Sequence, residues 1–302
     1  MTMPEPVVAG ANAWMALRPT LTSYDGHRWD LSDPSGGVVL MHGGSRGWAF
    51  PAIDRQSRVS PSLAGSRWRR FRVMERDVFL PLQISSSISS AAFVALEDAF
   101  WAMLRPDRTC TLTVTLPDMS QRNLTCRVSS DGSQQFDMLP VRFGWANYGL
   151  QLVAERPYWQ GYAVTQTYVN EANPRPPYPT STDNYVLWLG AGSTLASATI
   201  RNPGDVEAYP KWLLSGPFLS ASVGIGSQLV VLPFALTAGQ SVLLDSDPEA
   251  LTATREDGTD VTTQLGDARW SSVPPGNAGL SLYMDGLGSV QLTMPTSYLR
   301  AW

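Results

Sequence analysis

Apolar and polar side chains alternate strictly from Thr109 to Leu116. A period of two with many β-branched residues is typical of a strand that buries one face. Pro117–Ser120 has the composition of a turn, and beyond it the apolar alternation resumes at Leu124, Cys126 and Val128. The pattern predicts a β-hairpin with one face in a core.

Both cysteines lie on the apolar face of this hairpin. Direct pairing of Cys110 with Cys126 would turn Arg122 inward, whereas a register with Leu124 opposite Leu116, or opposite the apolar residue two positions before it, keeps apolar against apolar. The thiols are then diagonal or farther apart, and diagonal neighbours lie about 7–8 Å apart, at or beyond the reach of a disulfide. We therefore expect two buried, reduced thiols.

One stretch of the chain has clear helical periodicity. Ser89 or Ser90 can cap its start, and Pro106 stops it. Between them, apolar residues recur at spacings of three and four, at Phe93, Leu96, Phe100 and Leu104. This stripe predicts a single helix near residues 89–105, with one face packed on a core.

Further alternating segments flank the helix and the hairpin. They predict a strand before the helix, at Val78, Leu80, Leu82 and Ile84. They also predict strands after the hairpin, at Leu139, Val141 and Phe143 and then at Tyr148, Leu150 and Leu152. The first half is therefore expected to be a β-sandwich-like domain over residues 1–160 that carries the one helix.

The character of the sequence changes after residue 160. Residues 161–183 are predicted to be a proline-rich connection, because four prolines lie between Asn173 and Thr182. Beyond it, short strands are broken by turn signals such as Asn202-Pro203-Gly204 and Pro274–Asn277. Many short strands at this spacing predict a β-sandwich over residues 184–302, so the whole chain is expected to be mainly β.

Composition narrows the classes of function. Of 302 residues, 43% are hydrophobic and 16% charged, and the net charge is −4. This balance supports packed cores and argues against disorder and against a nucleic-acid binder. No run of about 18 apolar residues is present, and the start of the chain lacks the pattern of a signal peptide, so we expect a protein made and first retained in the cytosol.

Signatures of catalysis and metal binding are weak. His27 and His42 are the only histidines, and neither has the spacing of a zinc site. The glycine-rich segment 42–47 lacks the Gly-Lys-Ser/Thr end of a phosphate loop. Paired carboxylates for glycoside hydrolysis leave no sequence trace. We predict no catalytic residue, no metal and no cofactor.

The one basic cluster consists of Arg67, Arg69, Arg70, Arg72 and Arg76. Two interpretations stay open: a solvated strand face, or a surface that complements acidic groups on a neighbouring subunit. A nucleic-acid site is less well supported, because few aromatic residues are interleaved with these arginines.

The order of these elements resembles a known family. An arginine-rich strand at Arg69–Leu82 is followed by the helix, the hairpin and a strand that ends in Glu155-Arg156-Pro157-Tyr158-Trp159. This order is similar to the N-terminal ring-forming domain of siphophage distal tail proteins. In that family the domain commonly closes with an acidic residue, a proline, an aromatic residue and a tryptophan.

Three later segments extend the resemblance. Ala198–Pro210 is similar to a strand–turn segment of the family, and it places Asn202, Pro203, Gly204, Asp205 and Pro210 at the family's positions. Pro275, Gly276 and Asn277 resemble a second family turn, and Ser297–Trp302 resembles the family's last strand. In the family these segments belong to a galectin-like or carbohydrate-binding-module-like sandwich.

The resemblance implies a structural, non-enzymatic protein of the virion, at the distal end of the tail. It implies a homohexameric ring that joins the tail tube to the tail-tip hub, with contacts to the major tail tube protein, the hub or tail-associated proteins and the tape measure protein. The net charge of −4 and the lack of a long apolar run add the expectation of no membrane and no specific nucleic acid as partners. The strong arginine bias also suits an actinobacteriophage.

A closed ring needs edge strands or extensions that pair across subunits. The candidates for such contacts are Arg67, Arg69, Arg70 and Arg72.

Two other functions are weighed against this one. The second sandwich could bind host-surface glycans through aromatic platforms, for which the candidates are Trp188, Trp212, Trp270 and Tyr283. A wall-degrading enzyme is supported only by an all-β architecture, and a fold does not imply a function.

Overall fold

The computed structural model describes residues 17–41, 43–59, 61, 64–129, 139–170 and 194–302. The chain divides into two compact units. The first runs to Gly161 and includes Tyr298–Trp302, and the second comprises Tyr162–Ser297. The predicted strand over Tyr185–Leu189, Trp14, Trp188, His42 and most of the proline-rich connection lie outside the described residues.

The first unit is built mainly from antiparallel strands. Its strands are β1 (Arg18–Thr22), β2 (Arg28–Asp30), β3 (Val38–Leu40), β4 (Ile53–Val59), β5 (Ser66–Val73), β6 (Arg76–Ser85), β7 (Cys110–Thr115), β8 (Gln121–Val128), β9 (Trp145–Ala154) and β10 (Trp159–Gln160). Its helices are α1 (Ser90–Ala102) and the single turn α2 (Pro140–Phe143).

One sheet carries most of this unit. Its order is β2-β1-β7-β8-β9-β6-β3, and β10 pairs with β8. Its inner face is apolar at every second position, as in the alternating buried residues of β6 and β9. Helix α1 covers this face with Phe93 and Phe100, both fully buried. The mixed layer of sheet and helix was predicted from the period-two and period-3.6 patterns.

Helix α1 begins where the sequence predicts. Ser89 is extended and its side chain accepts a hydrogen bond from the backbone N–H of Ala92 at 3.0 Å, so it is the N-cap. The helix ends at Ala102, and the next two residues, Met103 and Leu104, are buried in the same core. The predicted helix near residues 89–105 is confirmed.

The predicted strand at Leu139–Phe143 is wrong. Pro140–Phe143 form a helical turn, and the strand starts only at Trp145. Proline at the first helical position has a preset φ and no N–H to satisfy. Gly144 closes the turn with a φ of 71° and donates its N–H to the carbonyl of Pro140 at 2.9 Å.

The predicted register of the β7–β8 hairpin is also wrong. Cys110 lies directly opposite Cys126, and Arg122 lies opposite Val114. Arg122 avoids the core because its guanidinium stacks 3.8 Å over the ring of Tyr298 and donates to a backbone carbonyl. That ring comes from far along the chain, so local apolar matching missed this register.

The two cysteines are nevertheless free and buried, as expected. The Cys110 thiol donates a hydrogen bond to the backbone carbonyl of Cys126 at 3.5 Å. Burial raises the pKa of the Cys110 thiol to about 11 and also raises the pKa of the Cys126 thiol. Both groups are therefore neutral and poorly nucleophilic at neutral pH.

The second unit is a sandwich of two sheets. Its strands are β11 (Val164–Asn170), β12 (Thr199–Asn202), β13 (Lys211–Ser215), β14 (Phe218–Ile225), β15 (Gln228–Leu232), β16 (Ser241–Asp245), β17 (Thr252–Arg255), β18 (Gly276–Gly286) and β19 (Gly288–Met294). The sheet orders are β11-β19-β13-β16-β17 and β12-β18-β14-β15. Their inner faces form one core with Trp212 among the largest buried side chains.

Two boundaries differ from the sequence-based prediction. Val164–Asn170, placed in the proline-rich connection, is a strand that pairs with β19 along its whole length. Tyr298–Trp302, predicted to be the last strand of the second sandwich, belongs to the first unit, where Ala301 is in the core. A short final strand, β20 (Ser297–Tyr298), pairs with β10. The contacts of these residues with distant segments, which composition does not encode, set both boundaries.

Candidate assembly interface

Strands β4 and β5 form a two-stranded sheet of their own, which we call the arm. Every residue of the two strands is exposed except Val73, which is half-buried. The base of the arm is closed by a hydrogen bond from the N–H of Met74 to the carbonyl of Ala52 at 2.9 Å. A two-stranded hairpin without a sheet or helix beside it is marginally stable in water.

The arm exposes large apolar side chains. Ile53 is 44% exposed, Val59 73%, Trp68 65% and Phe71 56%. Such a concentration on one small element is typical of a surface that another chain covers. Tryptophan and phenylalanine in particular are enriched at protein interfaces.

The arm is also strongly basic. Its two strands carry six arginines and one acidic residue, Asp54, although the whole chain has a net charge of −4. Arg58 lies directly opposite Arg67, a like-charge pair that weakens an isolated hairpin. Arg70 is held across the strands, where its Nε donates to Gln56 Oε1 at 2.6 Å. An acidic partner surface would therefore stabilise the arm as well as bind it.

The structure separates the five clustered arginines into two groups. Arg67, Arg69, Arg70 and Arg72 all lie on β5 and are exposed. Arg76 is the first residue of β6 and is 1% exposed. The single arginine-rich strand predicted over Arg69–Leu82 is thus two strands, broken at Met74 and Glu75. Sequence reasoning also missed β4, because a hairpin exposed on both faces has no apolar periodicity.

The turn at Asn202-Pro203-Gly204, the first of the two turns that resemble the family, is held by hydrogen bonds of the Asn202 side chain. Asn202 is buried, and its Nδ2 donates to the carbonyls of Val206 at 2.9 Å and Val273 at 3.0 Å. Its Oδ1 accepts the N–H of Gly204 at 2.9 Å. Pro203 occupies the exposed corner of this turn, and Pro210 is buried immediately before β13. These contacts position backbone rather than bind a ligand.

The second family-like turn lies beside the first. Asn202 pairs with Gly276 and Arg201 with Asn277, although about 75 residues separate the partners in sequence. Pro275 directly precedes this pairing, and Gly276 has a φ of 94°, which favours glycine. The two motifs are therefore two sides of one structural corner.

The first turn also holds the segment that precedes Tyr298. The N–H of Asp205 donates to the carbonyl of Ser297 at 2.9 Å. A Cβ on Gly204 would lie 2.6 Å from that same carbonyl oxygen. Only glycine permits this approach, which explains the residue at that position of the motif.

Metal-ligating side chains do not gather into a site in the part of the chain that the structure describes. No group of three or more His, Cys, Asp or Glu side chains there could hold a metal ion. His27 is exposed and packs its ring edge-on against Trp29. A cavity of about 340 Å³ beside Cys126 contains the ion pair of Arg127 with Glu155 at 3.1 Å, but that thiol is un-ionised. No helix within the described ranges is both long and apolar enough to cross a bilayer.

The fold places the aromatic candidates for glycan binding in different environments. Trp212 is in the core of the second unit, and Trp270 is partly buried against that core. Tyr283 is exposed on β18, and Trp188 lies outside the described residues. The described aromatic candidates thus do not share one exposed surface.

Comparison with known proteins gives a likeness of fold. No protein-family model matches the sequence, and no curated protein matches it. The crystal structure of phage SPP1 Dit, described as a paradigm of the hub adsorption apparatus in phages that infect Gram-positive bacteria, superposes with a TM-score of 0.65. The match covers 92% of this chain and 98% of that one at 15% identity.

A second solved structure agrees with the first. A chain of the phage P2 baseplate, in its activated conformation with Ca, matches with a TM-score of 0.51 at 11% identity. The match covers 93% of this chain and 98% of the baseplate chain. Both matches extend over nearly the full length, so they include both units. The chain therefore has the fold of the SPP1 Dit protein and of a component of the P2 phage baseplate.

Proposed function

We propose that this chain is a structural distal tail protein, which assembles into a ring and joins the tail tube of a siphophage to its tail-tip hub. The observation that carries the proposal is the arm, an exposed, basic and aromatic hairpin that its own unit leaves uncovered. The likeness of fold to a phage hub protein and to a baseplate chain supports the same function.

A neighbouring copy of the chain is the partner that best fits the arm. A ring forms when one surface of a subunit binds a different surface of the next and the rotation closes. The rest of the chain carries the negative charge that balances the arm, since the net charge is −4 despite the six arginines of β4 and β5. Copies of the chain thus offer each other complementary charge.

A homohexamer is the expected form of the ring, with the first unit forming the ring and the second projecting from it. The expected neighbours in the tail are the major tail tube protein, the hub or tail-associated proteins and the tape measure protein. The expected function is structural and non-enzymatic, as the likeness of fold to a phage hub protein and to a baseplate chain supports.

The proposal is tested on virions that carry the chain. Antibodies raised against the second unit, labelled with gold, are expected to mark the end of the tail distal to the head in electron micrographs. Antibodies against the tube protein serve as the control and mark the whole tail. Label on the capsid, or spread along the tube, would contradict the proposed position.

A further inference from the structure

The buried arginine at the start of β6 makes an unusual set of contacts. Arg76 donates from its guanidinium to four backbone carbonyls, those of Gly47, Ala49, Pro157 and Leu299. Three of these bonds measure 2.6–2.8 Å, to Pro157, Gly47 and Leu299. No ion pair of Arg76 with a carboxylate occurs among the described residues.

These carbonyls compensate for the removal of a charge from water. A buried charged group is tolerated only when its hydrogen-bonding capacity is satisfied. Burial lowers the pKa of Arg76 to about 10, so the group stays charged at neutral pH. If any one of these carbonyls is lost, an N–H of the guanidinium stays buried without an acceptor. The free-energy penalty for such an unpaired donor exceeds the net stabilisation that an ordinary hydrogen bond provides.

One acceptor belongs to a segment that we call the strap, Tyr298–Trp302. The strap joins the first unit although it follows the second unit in sequence. Ala301 is fully buried there, and its N–H donates to the carbonyl of Trp48 at 2.8 Å. Arg122 holds the strap at two further points, by stacking on Tyr298 and by donating to the Arg300 carbonyl at 2.8 Å.

The same contacts determine how the arm is rooted. Arg76 and the strap together bond Gly47, Trp48 and Ala49, which shortly precede β4. Arg76 itself lies three residues after the end of β5. The segment before β4 and the segment after β5 are therefore both held by the guanidinium of Arg76. The same guanidinium also binds the carbonyl of Leu299 in the strap.

We infer that the strap is a conformational clasp: its docking on Arg76 and Trp48 fixes the base of the arm and makes the first unit competent to assemble. A chain whose strap is absent or undocked retains the arm's residues but not its fixed direction. Since pre-organisation lowers the cost of association, a loose arm binds a neighbour more weakly. The consequence for assembly rests on the proposed ring, whereas the consequence for the arm's base does not.

The inference is tested by a chain that ends at Ser297, compared with the full chain by hydrogen exchange. The reporter is the N–H of Met74, which is bonded to Ala52 at the arm's base. Without the strap, exchange at Met74 is expected to quicken about tenfold or more. Exchange in β13 and β19 of the second unit, which includes no strap residue, is expected to stay unchanged.

Point variants separate clasping from general loss of folding. Arg76→Lys keeps the charge but loses the fork that reaches several carbonyls at once, so faster exchange at Met74 is expected with the α1 amides still protected. Arg105→Lys, at an exposed arginine of the same unit, is the matched control and should leave Met74 unchanged. Unaltered exchange at Met74 in both the truncated chain and Arg76→Lys would overturn the inference.

Rescue in trans provides a second readout. The peptide Ser-Tyr-Leu-Arg-Ala-Trp, which copies residues 297–302, is expected to restore slow exchange at Met74 and ring formation in the truncated chain. The same peptide with Asp in place of Ala301 should not, because that side chain would enter the core. Restoration by both peptides, or by neither, would contradict a specific clasp. If the full chain forms no ring while Met74 responds as expected, the proposed function fails and the clasp stands.

Discussion

The first unit contains two hairpins that differ in how they are stabilised. The β7–β8 hairpin lies in the middle of a sheet and buries Leu112, Leu124 and both cysteines against the core. The arm pairs only with itself and has no buried strand residue. Both hairpins carry large apolar side chains, so composition alone does not distinguish them.

The difference lies in where the apolar surface goes. In β7–β8, the chain's own sheet and helix cover the apolar face, and hydrophobic burial stabilises the monomer. In the arm, Trp68 and Phe71 stay in water until another surface covers them. On the proposed function, a hairpin of the second kind contributes to assembly rather than to folding. The following variants are designed to separate the two effects.

The largest effect is expected from removal of the arm. Because Met74 N–H bonds to the Ala52 carbonyl, a short Gly-Ser link can replace residues 53–73 without strain. The shortened chain is expected to fold and to lose assembly completely, as measured by native mass spectrometry. Replacement of the Pro117–Ser120 turn by a two-residue turn is the control and should leave assembly intact. An arm-less chain that still assembles would show that the contact lies elsewhere.

The next largest effect is expected in the packed hairpin. Leu124 is fully buried, so Leu124→Ala should lower the free energy of unfolding of the first unit by about 2–5 kcal/mol. Trp68→Ala in the arm removes a larger side chain, yet it should change the unfolding free energy of the monomer by less than about 0.5 kcal/mol. Urea denaturation at a concentration where the chain is monomeric measures both. Equal losses would mean that the arm packs on its own unit.

A smaller effect is expected from the charges of the arm. Replacement of Arg67, Arg69, Arg70 and Arg72 by Gln should weaken subunit association roughly tenfold to a hundredfold at low salt, because complementary charges set encounter and register. The loss should shrink as salt rises, since exposed charges are screened. The control replaces four other exposed arginines by Gln, namely Arg105, Arg108, Arg201 and Arg269. Analytical ultracentrifugation that shows the same loss in both variants would indicate a non-specific effect of net charge.

The smallest effect concerns the two thiols of the packed hairpin. Because the pKa values of the thiols are raised in the folded state, the thiols of the unfolded chain lose their protons at lower pH. The free energy of unfolding should therefore fall between pH 9.0 and about 11. A variant with Cys110→Ala and Cys126→Ala should lose less stability over that range. In the parental chain, Ellman's reagent at pH 8 should react with neither thiol until urea is added. Rapid labelling of the folded chain would contradict the burial.

The elements that bury a periodic face were predictable from the sequence. The spacing of apolar residues predicts helix α1 and the β7–β8 hairpin, and the short strands separated by turn signals predict the sandwich. The register of β7–β8 was not predictable locally, because Arg122 is accommodated by Tyr298, which composition assigns to another domain. The turn at Pro140–Phe143 imitates strand alternation, although Pro140 and Gly144 are the signals that could have identified it.

The candidate site was predictable only in part. The arginines of β5 were identified as possible intersubunit contacts, and their exposure agrees with that prediction, which is still to be tested. Arg76 looks like another member of the same run in the sequence, yet it is buried on four carbonyls. An exposed hairpin has no periodicity to detect, and a buried arginine is defined by acceptors that only the fold brings together.

Electron microscopy of the purified full chain tests the central claim most directly. At concentrations above the dissociation constant of the subunits, the account predicts closed rings of six subunits in which the arm of each subunit lies on its neighbour. Particles that remain monomers at every concentration, or rings in which β4 and β5 contact only solvent, would contradict it.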